Sequence, residues 1–457
     1  MPSYAKWKEL YHEEYFQLRE EGYLVDGATL MDEHNRPLPF PADLAGESHD
    51  ETADEPKWEA LYHALWKTRE KGLRPDFPFH EPDSYKEIIA EAAPEPSLEP
   101  LDCKEYEQRI KGAWFGRLAG VALGKPLEMG WDWLKVKEYL ESVNAYPLQD
   151  WVPARSDKLN VELRADCVPS TKGNVRYMQP DDDVHYTIMS LLLAEQKGLE
   201  FTKLDVGMNL LDNIPYHWLW CSDRHTYCHL VNMDSKRSKE EQIDEFPTRL
   251  NPWRECMAAF LKADFWGYIT PGEPRKGAPY IYRVATLNLI KNGIYGGMFV
   301  QGCISAALSK NPSPEAIIRG GLSVIPKNSR LACAITDVCQ WYAANNDFAI
   351  VCEKIYAKYG HLHFCSSMNN LAFVTLSVLH SKLDYTTAIT TAVMCGTDTD
   401  CNAGTVGSIV AAAVGYDRLE CRWIDPLNDT VKTVVAHFGQ GSITELANRT
   451  VSLYKQL

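Results

Sequence analysis

The residues best suited to chemistry are two runs of aspartate. Gln179-Pro180-Asp181-Asp182-Asp183 leads into a helix-forming apolar stretch, and Gly396-Thr397-Asp398-Thr399-Asp400-Cys401-Asn402 leads into a run of small residues. Three adjacent aspartates at a helix start repel one another, and the helix dipole softens that repulsion without removing it. An N-cap followed by a solvated acidic first turn explains the first run equally well. The second run says more. In a non-helical turn Asp398 and Asp400, two positions apart, aim at one point, and the apolar segments Ala388 to Met394 and Ala403 to Val414 enclose the turn. Carboxylates held together away from water need protons or a cation to neutralise them. Oxygen-only ligands select a hard ion such as Mg²⁺, Mn²⁺ or Ca²⁺ over Zn²⁺. The two runs carry enough carboxylates for two ions, and a dinuclear site can fix hydroxyls and activate a water. The residues alone therefore predict a hydrolytic divalent-metal site and name no substrate. Two histidine groupings invite a metal reading as well. His12 with His63 is better explained as completing a helix face, and Gly360-His361-Leu362-His363 as a surface turn.

Helices must position these runs. Helical periodicity is strongest over Tyr106 to Ala122, Val184 to Glu195, Met298 to Leu308, Ser329 to Asn345, Asn370 to Leu379, Tyr385 to Met394 and Ala403 to Val414. Glycines 112, 116, 120 and 124 recur at a spacing that lets two helices cross closely. Few segments alternate as strands do, so the body is predicted to be an all-α, compact multi-helix bundle. Residues 150–180 and 220–280, rich in Pro, Trp and polar residues, read as long irregular loops, which are often functional. The end of the chain reads as short strands and a last helix, Ser442 to Tyr454.

Ahead of the body, residues 1–101 form a helical extension with an internal repeat, leaving 102–457 as the second region. Lys6-Trp7 with Leu10-Tyr11-His12 returns as Lys57-Trp58 with Leu61-Tyr62-His63. Both copies have the 3–4 spacing of an amphipathic helix, and two such helices bury too little alone. They are expected to pack on the body or on a second subunit, so a homo-oligomer is open. Pro-rich and acidic connections, such as Pro37 to Pro41 and Ala93-Pro94-Glu95-Pro96, read as loops or extended arms.

The bulk properties narrow the partners. With 457 residues and a formal net charge of -15, the surface repels nucleic-acid backbones and anionic membranes. Thirteen cysteines, odd in number and without a C-x-x-C, fit free thiols in a reducing compartment. The charged start, without an apolar signal core, and a longest late apolar run of only Ser408 to Gly415 point to a cytoplasmic protein.

Four pieces of the chain, in order, resemble the ADP-ribosylglycohydrolase family over about Tyr106 to Gly415. They are Gly112-Ala113-Trp114-Phe115-Gly116-Arg117-Leu118-Ala119-Gly120 with Gly124-Lys125-Pro126-Leu127-Glu128, then Asp181-Asp182-Asp183-Val184-His185-Tyr186-Thr187, then Asn292-Gly293-Ile294-Tyr295-Gly296-Gly297-Met298, and Gly396-Thr397-Asp398-Thr399-Asp400. The resemblance implies an all-α orthogonal bundle and a site for Mg²⁺ or Mn²⁺, two ions in the usual member. By position, Asp182, Asp183, Asp398 and Asp400 are the implied ligand carboxylates, with Asp181 where the family has a ligand threonine. Glu128 corresponds to an acidic residue near the metals, and the catalytic carboxylate is left open among Asp182, Asp183 and Glu128. Gly296 and Gly297, with Tyr295 beside them, correspond to a glycine-rich substrate loop, and His185 is placed to touch ligand or to support the carboxylates. The implied substrate is a small riboside or an ADP-ribosylated group, hydrolysed at its N- or O-glycosidic bond. The Trp- and Pro-rich stretches Pro215 to Trp220 and Asp264 to Pro274 are candidates to stack on it. Departures matter: Cys401 stands where many members have a threonine ligand, leaving Asn402 or water to fill that position, and Val121 and Val184 replace an aspartate and a threonine. The alternative is an inactive member that binds ADP-ribose or a nucleotide, or serves structurally. A two-metal phosphatase is disfavoured for want of histidine ligands.

Overall fold

The computed structural model describes residues 4–25, 55–159 and 161–457. Among these the regular structure is helical apart from isolated bridges and one antiparallel ribbon, Thr430–Lys432 with Gln440–Ser442, in which Thr430 faces Ser442. The predicted all-α bundle is what forms. The expected loop at Pro37 to Pro41 lies outside the described residues.

Two long helices, Cys103–Gly124 and Thr399–Val414, form the axis of the body. Asp102 starts the first by accepting the Glu105 N–H at 2.9 Å, an N-cap. The second ends at Gly415, whose φ of +87° suits glycine. The helices run antiparallel in near backbone contact, which small residues alone permit. A Cβ at Gly120 would lie 2.2 Å from the Ala403 carbonyl oxygen, and one at Gly124 2.2 Å from that of Thr399. Backbone separations this short leave no room for a methyl group. The consequence is functional: the C-terminal end of one helix, running into Lys125–Glu128, is held beside Asp398 and Asp400 at the N-terminal end of the other.

The predicted helices all form, extended by caps that periodicity alone does not show. Asp182–Lys197, Lys291–Ala307, Arg330–Ala344, Ser367–Ser381 and Tyr385–Met394 surround the central pair. Residues 220–280 differ from the expectation of a long loop, since they hold Cys221–Val231, Lys239–Glu245, Asp264–Tyr268 and Pro274–Ala285. Their pattern was hidden because the first of them buries Ser222, Asp223, His225 and Thr226, so polar residues occupy its inner face. The end of the chain follows the reading, with a last helix at Ile443–Tyr454 locked by the Trp114 indole N–H donating to Thr450 at 3.0 Å.

The repeat makes a reciprocal helix pair. Trp7 of the helix Trp7–Glu20 meets Tyr62 at 5.5 Å between centroids, and Trp58 of the helix Glu55–Lys67 meets Tyr11 at 5.5 Å. His63 packs on Trp7 and His12 on Trp58, so both histidines complete the aromatic seam. The pair docks on the body through buried charge. Arg254 donates to Glu21 at 2.6 Å and to Glu14 at 2.7 Å, and Lys291 donates to Glu21 at 2.8 Å. From the same segment of the chain, Glu81 receives Arg330, which also binds Glu255. No described helix is long and apolar enough to cross a membrane.

Candidate metal centre and active-site cavity

The two aspartate runs, 215 residues apart in the chain when counted from Asp183 to Asp398, meet in one cavity of about 530 Å³. Asp181, Asp182, Asp183, Asp398, Asp400 and Glu128 all line it, together with Lys125, Arg164, Cys401 and the aromatic side chains of Tyr186, Trp218, Trp220 and Phe364.

Local backbone aims each group. Asp181 is the N-cap of its helix and accepts the Asp183 N–H at 3.1 Å. Asp398 precedes Thr399–Val414 through a turn in which Gly396 and Thr397 both have positive φ. The Thr397 N–H donates to the Trp131 carbonyl at 2.7 Å. A Cβ at position 396 would lie 2.6 Å from that oxygen, so the turn requires glycine. The sequence reading of Asp398 and Asp400 as parts of one non-helical turn needs correction, because Asp400 already belongs to the helix. Helical curvature from the cap brings the two carboxylates to the same cavity.

Pairs of oxygen donors fit a hard cation. Asp181, Asp182 and Asp183 place carboxylate oxygens mutually within 4.8 Å, and the carboxylates of Asp183 and Asp398 form a second group with the Cys401 sulfur. Three cations of the site are already taken. The Lys125 ammonium lies 2.5 Å from Asp181, Arg117 donates to Asp183 at 2.9 Å, and Arg164 donates to Glu128 at 2.8 Å. Among the described residues no lysine or arginine pairs with Asp182, Asp398 or Asp400. Burial, then the charge of Asp181, pushes Asp182 up to about 8. Burial with Asp400 pushes Glu128 up to about 8, and burial with Asp181 pushes Asp400 up to about 7. Asp398 is held well above the carboxylate range by burial and by Asp400, and Asp183 is raised by burial in spite of Arg117. The carboxylates outnumber Lys125, Arg117 and Arg164, and such surplus negative charge is the electrostatic condition that a divalent ion relieves.

This crowding fixes the pH dependence of the metal-free protein. A carboxyl whose folded pKa is raised favours the folded state while protonated. That stability is full below about pH 4, where an ordinary aspartic acid is protonated, and is lost as pH rises toward about 8 for Asp182. The midpoint of thermal unfolding in chelator should therefore fall by several degrees from pH 5.5 to 8.5. Saturating Mg²⁺ should flatten the slope. A midpoint that rises with pH in chelator would contradict the crowded-carboxylate description.

Several expected site residues lie elsewhere. Asn292 to Met298 is no loop: it belongs to the helix Lys291–Ala307. Gly296 packs on Ser367 and Gly297 on Ala259, where an added Cβ would lie 3.0 Å and 2.7 Å from their atoms. Tyr295 donates to the Pro82 carbonyl, and none of the three lines the cavity. The glycines serve close helix crossing, which demands the same small residues as a ligand loop. His185 does not line the cavity either. Its Nε2 accepts the Val434 N–H at 3.3 Å and its ring meets Trp218 edge-on, while burial lowers it to about 4. Asn402 does not line the cavity, its amide nitrogen donating to Asn370 at 2.8 Å, and Cys401 does. Of the two aromatic stretches, Pro215 to Trp220 supplies Trp218 and Trp220 to the cavity. Asp264, from the other stretch, lies buried 3.6 Å from Arg117 and does not line it.

The sequence reading missed Lys125, Arg117 and Arg164. Lys125 and Arg117 lie inside motifs already singled out, and a charged residue within a run of glycine and apolar residues was the available signal. Arg164 carried none, because its segment has no periodicity.

Fold and site together define an all-α protein with a buried carboxylate centre at the ends of two close-packed helices. The chain belongs to the ADP-ribosylglycohydrolase family, whose family model matches residues 102–456. Among solved structures it is similar to an "ADP-ribosylglycohydrolase-related protein complex" at 15% sequence identity and a TM-score of 0.49, over 77% of this chain and 99% of that chain. No match to a curated protein is found.

Proposed function

We propose that this protein is a divalent-metal-dependent hydrolase of a ribosyl bond, acting on an ADP-ribosylated group or a related riboside. The observation that carries the reading is the convergence of Asp182, Asp398 and Asp400, none of them ion-paired among the described residues, in a cavity roomy enough for a ligand and edged by aromatic rings. Asp182, Asp183, Asp398 and Asp400 would hold Mg²⁺ or Mn²⁺. When bound, such an ion supplies Lewis acidity for the ribose hydroxyls and for a nucleophilic water. Burial and the charge of Asp400 raise the Glu128 carboxyl and Arg164 holds it in place, which suits it to hand a proton to a leaving group. Asp183, tied to Arg117, is suited to a fixed ligand role and Asp182 to that of a base. Trp220 and Phe364 are exposed at 56% and 45% while lining the cavity, which equips its mouth to stack a planar group.

The test is a panel of ribosides and ADP-ribosylated peptides with metal-loaded protein, following free ribose or ADP-ribose. Release that stops on chelation and returns with Mg²⁺ or Mn²⁺ supports the enzyme. Tight ADP-ribose binding without turnover favours the binding alternative. Trp220→Ala should raise KM about tenfold with kcat little changed, since stacking on an aromatic side chain is worth about 1–3 kcal/mol. An unchanged KM would remove Trp220 from the ligand site.

Lys125 bears on the number of ions. Its ammonium 2.5 Å from Asp181 occupies one of the two donor groups and opposes a second cation there. Lys125→Met should tighten Mg²⁺ binding about 10-fold, the equivalent of ~1.4 kcal/mol of removed repulsion. Equal affinity in calorimetry would place Lys125 outside the field of the ion.

A further inference from the structure

A second donor cluster lies outside the carboxylate cavity. His225 and His229 occupy one face of the helix Cys221–Val231, four positions apart, and are 0% and 6% exposed. Their Nε2 atoms approach to 2.6 Å, and the Arg249 carbonyl oxygen lies 2.8 Å from the first and 2.9 Å from the second. No placement of protons makes all three contacts favourable. Each Nε2 carries at most one proton and the carbonyl carries none. With both nitrogens protonated, their hydrogens face each other across 2.6 Å. With one protonated, the other sets its lone pair against the carbonyl. A cation facing all three atoms turns three lone pairs from a conflict into a ligand set.

We propose that His225, His229 and the Arg249 carbonyl form a binding site for a first-row transition-metal ion of the kind imidazole prefers, with Zn²⁺, Ni²⁺ or Cu²⁺ as the class. Two histidines at i and i+4 on a helix are a known chelating spacing, and ligand distances of about 2.0–2.1 Å place the ion just above the plane of the three atoms. A spreading of the rings by a few tenths of an ångström relaxes the angles.

The surroundings hold the donors in place. Leu250 has a φ of +52°, an unusual value for a leucine, which fixes the direction of the chain just after the Arg249 carbonyl. Asn251 ties the same loop down by donating to the Asn288 carbonyl at 2.8 Å. Phe246 stacks on the His229 ring with centroids 5.1 Å apart. Burial keeps both imidazoles neutral, pushing His225 to about 3 and lowering His229, and the neutral ring is the form that ligates. The ion would clip the helix to the loop before Arg254. Both elements lead to the catalytic wall, since Cys221, Asp223, Cys256 and Met257 line the carboxylate cavity.

The test uses full-length protein with saturating Mg²⁺ and Ni²⁺ as the calorimetric probe. Nickel binding should show a site of about one equivalent that His225→Gln and His229→Gln each remove and Asp398→Asn retains. Crystals of the unaltered protein soaked in Ni²⁺ should show an anomalous peak between the two rings, a readout that does not depend on the variants folding. Isotherms identical in the unaltered protein and both histidine variants, or crystals without that peak, overturn the proposal and leave a strained imidazole pair.

Discussion

Asp398→Asn is expected to abolish both divalent-metal binding at the cavity and turnover while leaving the fold intact. Asp398 is buried, shares a donor group with Asp183 and Cys401, and has no cationic partner among the described residues. Loss of an outer-shell partner of a metal ligand costs about 10–100-fold in affinity or activity, and loss of a ligand carboxylate should exceed that. The metal-free variant should be no less stable than the parent, because Asp398 is pushed up by burial and by the charge of Asp400, and the amide removes that conflict. Calorimetric Mg²⁺ titration, glycohydrolase assay and thermal unfolding in chelator give three separate readouts. Asp182→Asn, Asp183→Asn and Asp400→Asn should also lose metal. Asp183→Asn should lose stability too, since the fully buried Arg117 would keep only Asp264, 3.6 Å away, as a counter-charge. Unchanged metal affinity in all four variants would mean that the ion, if any, is held elsewhere.

Arg254→Ala should destabilise the protein by about 3–5 kcal/mol, the usual cost of stranding a buried charge. Arg254 is fully buried and bonds both Glu14 of the N-terminal helix and Glu21, which caps its end. Burial opposes ionisation of Glu21, but Arg254 and Lys291 outweigh it and hold its carboxyl well below the usual range. Glu14, raised by burial, has Arg254 as its chief counter-charge and would be left with the Tyr62 hydroxyl at 3.4 Å. The N-terminal helix pair should then detach first, seen as faster proteolysis within residues 1–101 before the body unfolds. Exchanging the pair for apolar residues, Arg254→Met with Glu14→Leu, should recover most of the loss, because the desolvation of both charges disappears with them. A loss under about 1 kcal/mol for Arg254→Ala would mean that the helix pair is held by its aromatic seam and not by this network. Glu255, next to Arg254, precedes the cavity residues Cys256 and Met257, so the same variant should also weaken metal-dependent activity.

How much of this was legible in the chain follows from the range of the forces involved. Helix positions are written locally, by the 3.6-residue period, by caps such as Asp102 and Asp181, and by stops such as Gly415. The all-α class, the last helix and the reciprocal aromatic faces of the repeat could therefore be read. The crowding of the carboxylates was also legible, because aspartates clustered before apolar helices are costly anywhere except at an N-cap or a cation. Three things depended on tertiary structure. Glycine serves a ligand loop and a helix crossing with the same lack of a side chain, and the neighbours Ser367 and Ala259 assign Gly296 and Gly297 to the crossing. The polar inner face of Cys221–Val231 has no hydrophobic period, because its partners are Arg249, Lys262 and Asn288 rather than apolar residues. The partners of Lys125, Arg117 and Arg164 lie 56, 66 and 36 residues away in the chain. Local sequence determined which segments become helices and that carboxylates would crowd. Only the packed backbone, closest where glycine admits it, decided which carboxylates share a cavity and which already have a cation.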